Sequence, residues 1–136
     1  MASIHKNIHL AADADTVWEA VRDVGHVHER LCPGVLTDAH LDGDARVVTF
    51  ADGFVARELI VDLDDEARRF AYAVVDGPFT HHHASMQVVA EPGGGSRLIW
   101  VTDLLPEAIV PTITGMVDQG AAAMQRALGT GHALAS

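Results

Sequence analysis

The chain has 136 residues, 49% of them hydrophobic and 21% charged, a length and balance expected of one soluble domain with a real core. Nine Lys and Arg against nineteen Asp and Glu give a net charge of -10, which excludes the clustered basic surface that nucleic acids require and disfavours anionic membranes. No apolar run approaches the roughly 20 residues of a membrane span, MASIHKNIHL does not read as a signal peptide, and the lone Cys32 supports neither a disulfide framework nor a Cys-based zinc site, so a cytoplasmic location is expected.

Ser3 to Leu10 alternates: Ile4, Ile8 and Leu10 share one face and Ser3, His5, Asn7 and His9 the other, which predicts a half-buried strand. In DADTVWEAVRDV, Val17, Trp18, Val21 and Val24 fall at helical spacing, with Thr16 and Glu19 as a capping box and Asp13 and Asp15 at the positive end of the helix. A second short helix is expected over His26 to Leu31, stopped by Pro33 and Gly34.

From Val35 to Pro106 short β-branched and aromatic runs alternate with turn chemistry. Leu41-Asp42-Gly43-Asp44, Ala51-Asp52-Gly53, Asp64-Asp65-Glu66-Ala67 and Glu91-Pro92-Gly93-Gly94-Gly95 separate the runs, which predicts an antiparallel meander. After Pro106 the period changes. Ile109, Ile113, Met116, Val117, Ala121, Met124 and Leu128 form a helical stripe, with Pro111 in the first turns and Gly129 and Gly131 at the end. The predicted order is strand, two short helices, six strands and a long helix, in one domain over residues 1–136 with the last few residues frayed.

That order, carried by Val17-Trp18, Cys32-Pro33, Glu58, Asp64-Asp65-Glu66, Arg68-Arg69, Tyr72, Gly77-Pro78, Trp100 and Leu105-Pro106, resembles the START-like or SRPBCC superfamily of polyketide cyclase/dehydrase-like proteins. The resemblance spans nearly the whole chain. It implies an α+β helix-grip fold, in which a curved antiparallel seven-stranded sheet wraps a long C-terminal helix and encloses a pocket for a small hydrophobic or aromatic molecule. The superfamily holds carriers, receptors, cyclases and lyases, so the resemblance implies the fold more narrowly than the activity. The Glu58 to Tyr72 stretch is also similar to a hairpin of plant abscisic acid receptors, whose gate-loop residues have no counterpart here.

Strand parity assigns the pocket wall. Closing the three hairpins pairs Val48 with Ala56, Arg46 with Glu58, Ile60 with Tyr72, Glu58 with Val74, His82 with Leu104, Ala84 with Thr102 and Met86 with Trp100. Even-numbered positions therefore share a face: Val48, Phe50, Ala56, Ile60, Val74, Ala84, Met86, Val88, Leu98 and Trp100, with Arg46, Glu58, Tyr72, His82 and Thr102 as its polar members. Ile113 and Val117 of the last helix roof the same space. A few polar groups in an apolar cleft are the usual anatomy of a ligand site.

Glu58 and His82 are candidates for acid and base, with Tyr72 orienting the ligand; Arg46–Glu58 as a structural ion pair, Tyr72 as a plain wall and His82 as a satisfied core histidine are the competing readings. In His81-His82-His83 neighbouring side chains point to opposite faces of a strand, so no native metal site is expected, and no nucleotide or other cofactor is implied. Asp103 has outward parity and would face the pocket only through a bulge near Thr102. An acid–base cyclase, dehydratase or lyase, a carrier of lipid, isoprenoid or quinone, and a ligand-gated interaction module are the function classes left, as monomer or homodimer.

Overall fold

A computed structural model describes residues 2–131, and the expected fraying of the last few residues lies outside that range. The elements run β1 (Ala2–Leu10), α1 (Ala14–Arg22), a 3-10 turn (Val24–His26), α2 (Val27–Arg30), β2 (Leu36–Asp42), β3 (Ala45–Phe50), β4 (Val55–Asp64), β5 (Arg69–Val74), β6 (His81–Ala90), β7 (Ser96–Leu105), a second 3-10 turn (Glu107–Ile109) and α3 (Val110–Leu128). All seven strands form one antiparallel sheet in the order β1-β7-β6-β5-β4-β3-β2. The α+β helix-grip architecture expected from the sequence is the one observed.

Local chemistry explains the boundaries. The α1 N-cap is Asp13, whose carboxylate accepts the Thr16 N–H at 2.8 Å, in place of the expected Thr16–Glu19 box. Asp13 sits one residue before the first helical turn, where its short side chain reaches that orphan N–H. The second helix is shorter than His26 to Leu31, because a 3-10 turn takes up His26 and Leu31 is the C-cap. Gly95 ends the β6–β7 loop with φ 76°, and a Cβ there would stand 2.6 Å from the Leu10 carbonyl oxygen. Only glycine lets that loop close against β1.

The register of β3–β4 and β6–β7 is the one that turn chemistry predicts, including Arg46 opposite Glu58 and Met86 opposite Trp100. In β4–β5 a bulge between Ile60 and Asp62 breaks the parity, so Leu63 rather than Asp62 stands opposite Phe70. The loop after the bulge is tied to α1 through Asp65, which accepts from Trp18 Nε1 at 2.9 Å and Arg22 Nε at 2.7 Å.

The concave face and α3 bury most of the core, with Phe70, Ile8, Leu10, Leu98, Leu104 and Met124 almost fully enclosed. α1 covers the sheet near Phe70 and Ala84, while Val117, Gly120, Ala121, Ala123 and Met124 form the buried face of α3. Among the described residues no helix is long and apolar enough to cross a membrane.

Candidate functional site

Between the sheet and α3 the core is incomplete, and a cavity of about 300 Å³ remains. Strands β3 to β7 present its floor through even-numbered residues: Arg46, Val48, Phe50, Ala56, Glu58, Tyr72, Val74, His82, Met86, Trp100 and Thr102. The roof is α3, through Thr112, Ile113, Met116, Val117 and Gly120, which recur at the spacing of one helical face. Val27, Cys32, Val35 and Leu36 close the end beside α2, and Asp52, Phe54, Pro78 and Phe79 come from the β3–β4 and β5–β6 loops. Asp52, Phe54, Pro78 and Thr112 are exposed, so the cavity opens between these loops and the start of α3.

Of the wall residues expected from parity, Ile60, Ala84, Val88 and Leu98 do not reach the cavity. All four lie on the expected face, but Ala84, Val88 and Leu98 are sealed in the core cluster that holds Trp18 and Phe70, and Ile60 packs against that cluster. Asp103 also stays outside. The β6–β7 register is unbroken at His83 opposite Asp103, and the Ser3 hydroxyl donates to its carboxylate on the other face of the sheet. His81 lines the shallow groove beside Asp103, whereas His82 lines the cavity.

The deepest polar feature is the Arg46–Glu58 pair. Arg46 Nε donates to Glu58 Oε1 at 2.7 Å, with the two side chains 4% and 10% exposed, and Nη1 donates to the Val24 carbonyl at 3.2 Å. The guanidinium also lies 5.0 Å from the Phe70 ring centre and 5.5 Å from that of Tyr72, within the range of cation–π attraction. Beside it, burial pushes the Cys32 thiol up to about 12, with the Arg46 charge opposing and the Glu58 charge adding to the shift. Cys32 therefore stays a thiol and is no nucleophile.

Tyr72 and His82 occupy the next part of the wall, with ring centres 5.8 Å apart. Burial, and then the Glu58 charge, raises the phenol above its ordinary value, so Tyr72 keeps its proton. Its oxygen accepts from Trp100 Nε1 at 3.2 Å. His82 accepts the Val74 N–H on Nδ1 at 3.0 Å, and its ring packs edge-on to Phe79. Burial, with lesser contributions from His83 and His81, lowers its pKa to about 4, so the ring is neutral at pH 7.

Glu58 and His82 stand in one row across the sheet, separated by β5, because Val74 is opposite Glu58 and hydrogen-bonds His82. Two strand spacings amount to about 10 Å, so the two groups flank a space rather than touch. The residues that sequence reasoning missed, such as Phe54, Phe79 and Cys32, sit in loops or irregular segments, where no period assigns a face. Aromatic side chains directly beside the Gly53 and Gly77-Pro78 turns are the signal that points to the loop members.

Residues 1–129 match the family described as polyketide cyclase / dehydrase and lipid transport. No curated protein matches the chain. Among solved structures, the protein XoxI of Bacillus cereus is 20% identical, with 94% of this chain and 96% of that one covered and a TM-score of 0.84. A START superfamily protein from Mycobacterium smegmatis is 12% identical over 93% of this chain and 94% of its own, with a TM-score of 0.71. Norcoclaurine synthase from Thalictrum flavum is 22% identical over 92% and 84%, also with a TM-score of 0.71. A structure of that enzyme in complex with dopamine and hydroxybenzaldehyde matches at 24% identity and a TM-score of 0.66. At these identities the likeness is one of fold.

Proposed function

The chain belongs to the polyketide cyclase / dehydrase and lipid transport family, and from that premise we propose that its cavity takes one compact, largely apolar molecule, aromatic in at least one ring. The observation that carries this reading is the distribution of polarity. Val48, Phe50, Val74, Met86, Trp100, Ile113 and Val117 make most of the wall, while Arg46, Glu58 and His82 lie in one row across the sheet with Tyr72 in the adjacent row. A volume of about 300 Å³ lies at the small end of ligand sites. That suits a one- or two-ring molecule better than a long acyl or prenyl chain. Phe50, Phe54, Tyr72, Phe79 and Trp100 offer ring faces and edges to an aromatic guest. Norcoclaurine synthase, on the same fold, is seen with two small aromatic molecules.

Binding ranks above turnover for a chemical reason. Of the expected acid–base pair, His82 has its Nδ1 lone pair engaged and is neutral at pH 7, which fits a hydrogen-bond donor better than a base. Glu58 remains the group suited to take a proton, and Arg46 Nε holds one of its oxygens. Acid–base work on a bound carbonyl compound would then fall to Glu58, with Tyr72 and His82 holding the ligand oxygen.

The test is native mass spectrometry of protein purified from its own host, with identification of the released molecule. A single aromatic compound supports the reading, and its precursor then becomes the substrate for assaying Glu58→Gln: retained affinity with lost turnover supports catalysis. A mixture of lipids or prenyl chains would overturn the aromatic reading in favour of a carrier.

A further inference from the structure

We propose that the cavity selects a ligand bearing an acceptor oxygen, a carbonyl or an enolate- or phenolate-type oxygen, which sits between the Tyr72 O–H and the His82 Nε2–H. Trp100 and the Val74 N–H are the positioning groups that turn both side chains into donors. This rests on the reading of the cavity as a ligand site and adds what the ligand must carry.

The inference follows from counting donors and acceptors. A phenol and a neutral imidazole are each amphoteric, so alone neither dictates the polarity of its partner. Here both ambiguities are removed from behind. The indole of Trp100 has only a donor to offer, and it gives it to the Tyr72 oxygen at 3.2 Å. The Val74 N–H does the same to His82 Nδ1 at 3.0 Å. The neutral ring must then carry its proton on Nε2, and the Tyr72 hydroxyl must direct its own proton elsewhere. Among the described residues neither proton meets a protein acceptor, while both side chains line the cavity with ring centres 5.8 Å apart.

Two preset donors on neighbouring rings of one cavity wall suit an acceptor oxygen and oppose an amine or ammonium, whose own N–H groups would face them. The arrangement costs no reorganisation when charge grows on that oxygen, because Trp100 and the Val74 backbone already fix the orientation. Burial keeps the phenol protonated and the imidazole neutral, so both donors persist through neutral pH.

The probes are 2-acetylnaphthalene and 2-isopropenylnaphthalene, which match in shape and differ in C=O against C=CH2, titrated calorimetrically into the full chain. Two neutral hydrogen bonds predict a preference for the ketone of about 5- to 100-fold. Tyr72→Phe should cut that ratio to roughly a third to a tenth of its value. His82→Asn, which retains an acceptor for Val74 and a donor for the ligand, should keep most of it, whereas His82→Leu should not. Trp100→Phe reports positioning: freed from the indole, the Tyr72 hydroxyl becomes able to accept, and the bound C=O stretch should move back toward its frequency in apolar solvent. Equal affinity for the two probes, with both bound, would overturn the donor pair and leave the cavity reading intact. Failure of both probes to bind would overturn both.

Discussion

Gly120 on α3 lies directly over the indole of Trp100: a Cβ at this position would come within 3.0 Å of Cζ3 and 3.1 Å of Cη2. A glycine in the middle of a helix is intrinsically unfavourable by about 1 kcal/mol relative to alanine, so its presence marks the close approach. Gly120→Ala should gain that propensity and displace the indole by a few tenths of an ångström, toward the cavity that Trp100 lines. The two effects oppose, so stability is expected to stay within about 1 kcal/mol of the parent. The Trp100–Tyr72 bond and the cavity shape should both suffer, and affinity for an aromatic probe should fall several-fold. Denaturant melts and probe titration on one preparation check this; a loss above about 2 kcal/mol would mean that the indole has nowhere to go.

The Arg46–Glu58 pair predicts strong non-additivity. Both side chains are buried, and Arg46 stacks on Phe70 and Tyr72. Arg46→Leu or Glu58→Leu alone leaves an unpaired buried charge and should cost about 3–5 kcal/mol. The double replacement removes both charges and should cost well below the summed single effects. Urea unfolding of the four proteins closes the cycle. An additive double mutant would show that the two side chains act independently.

These two relationships differ in how far the sequence revealed them. Arg46 opposite Glu58 was legible, because turn residues fix register and register fixes parity in a strand of period two. The same logic correctly placed Tyr72, His82, Met86 and Trp100 on one face. It says which face a residue takes and nothing of what lies above it, so parity assigns Ile60, Ala84, Val88 and Leu98 to a wall that they do not line. The β4–β5 bulge was invisible for the same reason: one extra residue near Val61 changes no composition, yet it exchanges the faces of Asp62 and Leu63. Asp13 rather than Thr16 as the helix cap, and the close approach at Gly120, depend on three-dimensional distances that a pattern does not encode.

His82 predicts an acid-sensitive contribution to stability. Its pKa falls from 6.5 in the unfolded chain to about 4 in the fold, because burial disfavours the imidazolium. Between these values the unfolded chain binds the extra proton and the native one does not, so stability rises with pH. The contribution is present in full above pH 6.5 and drains away as pH falls toward 4. Its upper bound is about 3 kcal/mol, and partial solvent access of the ring reduces this to about 1–2 kcal/mol. His82→Asn keeps an acceptor for the Val74 N–H and cannot titrate. Subtracting its stability curve from that of the parent isolates the slope from the many carboxylates. Parallel curves between pH 7 and 4 would show that the ring protonates freely in the native state.

Cys32 tests which of two opposing influences governs the inner end of the cavity. Burial raises its thiol from 9.0 to about 12, whereas the Arg46 guanidinium pulls in the other direction. If burial dominates, the thiolate fraction at pH 8 is about a thousandfold below that of an ordinary cysteine, and alkylation by iodoacetamide should slow by a comparable factor. Labelling should follow global unfolding, accelerating with denaturant in step with the melt. Arg46→Leu separates the two influences. Without the guanidinium the thiol should become still less reactive in any protein that remains folded. Rapid labelling of the native parent, abolished by Arg46→Leu, would instead mean that the Arg46 charge outweighs burial and that Cys32 stands in the cavity as a usable nucleophile.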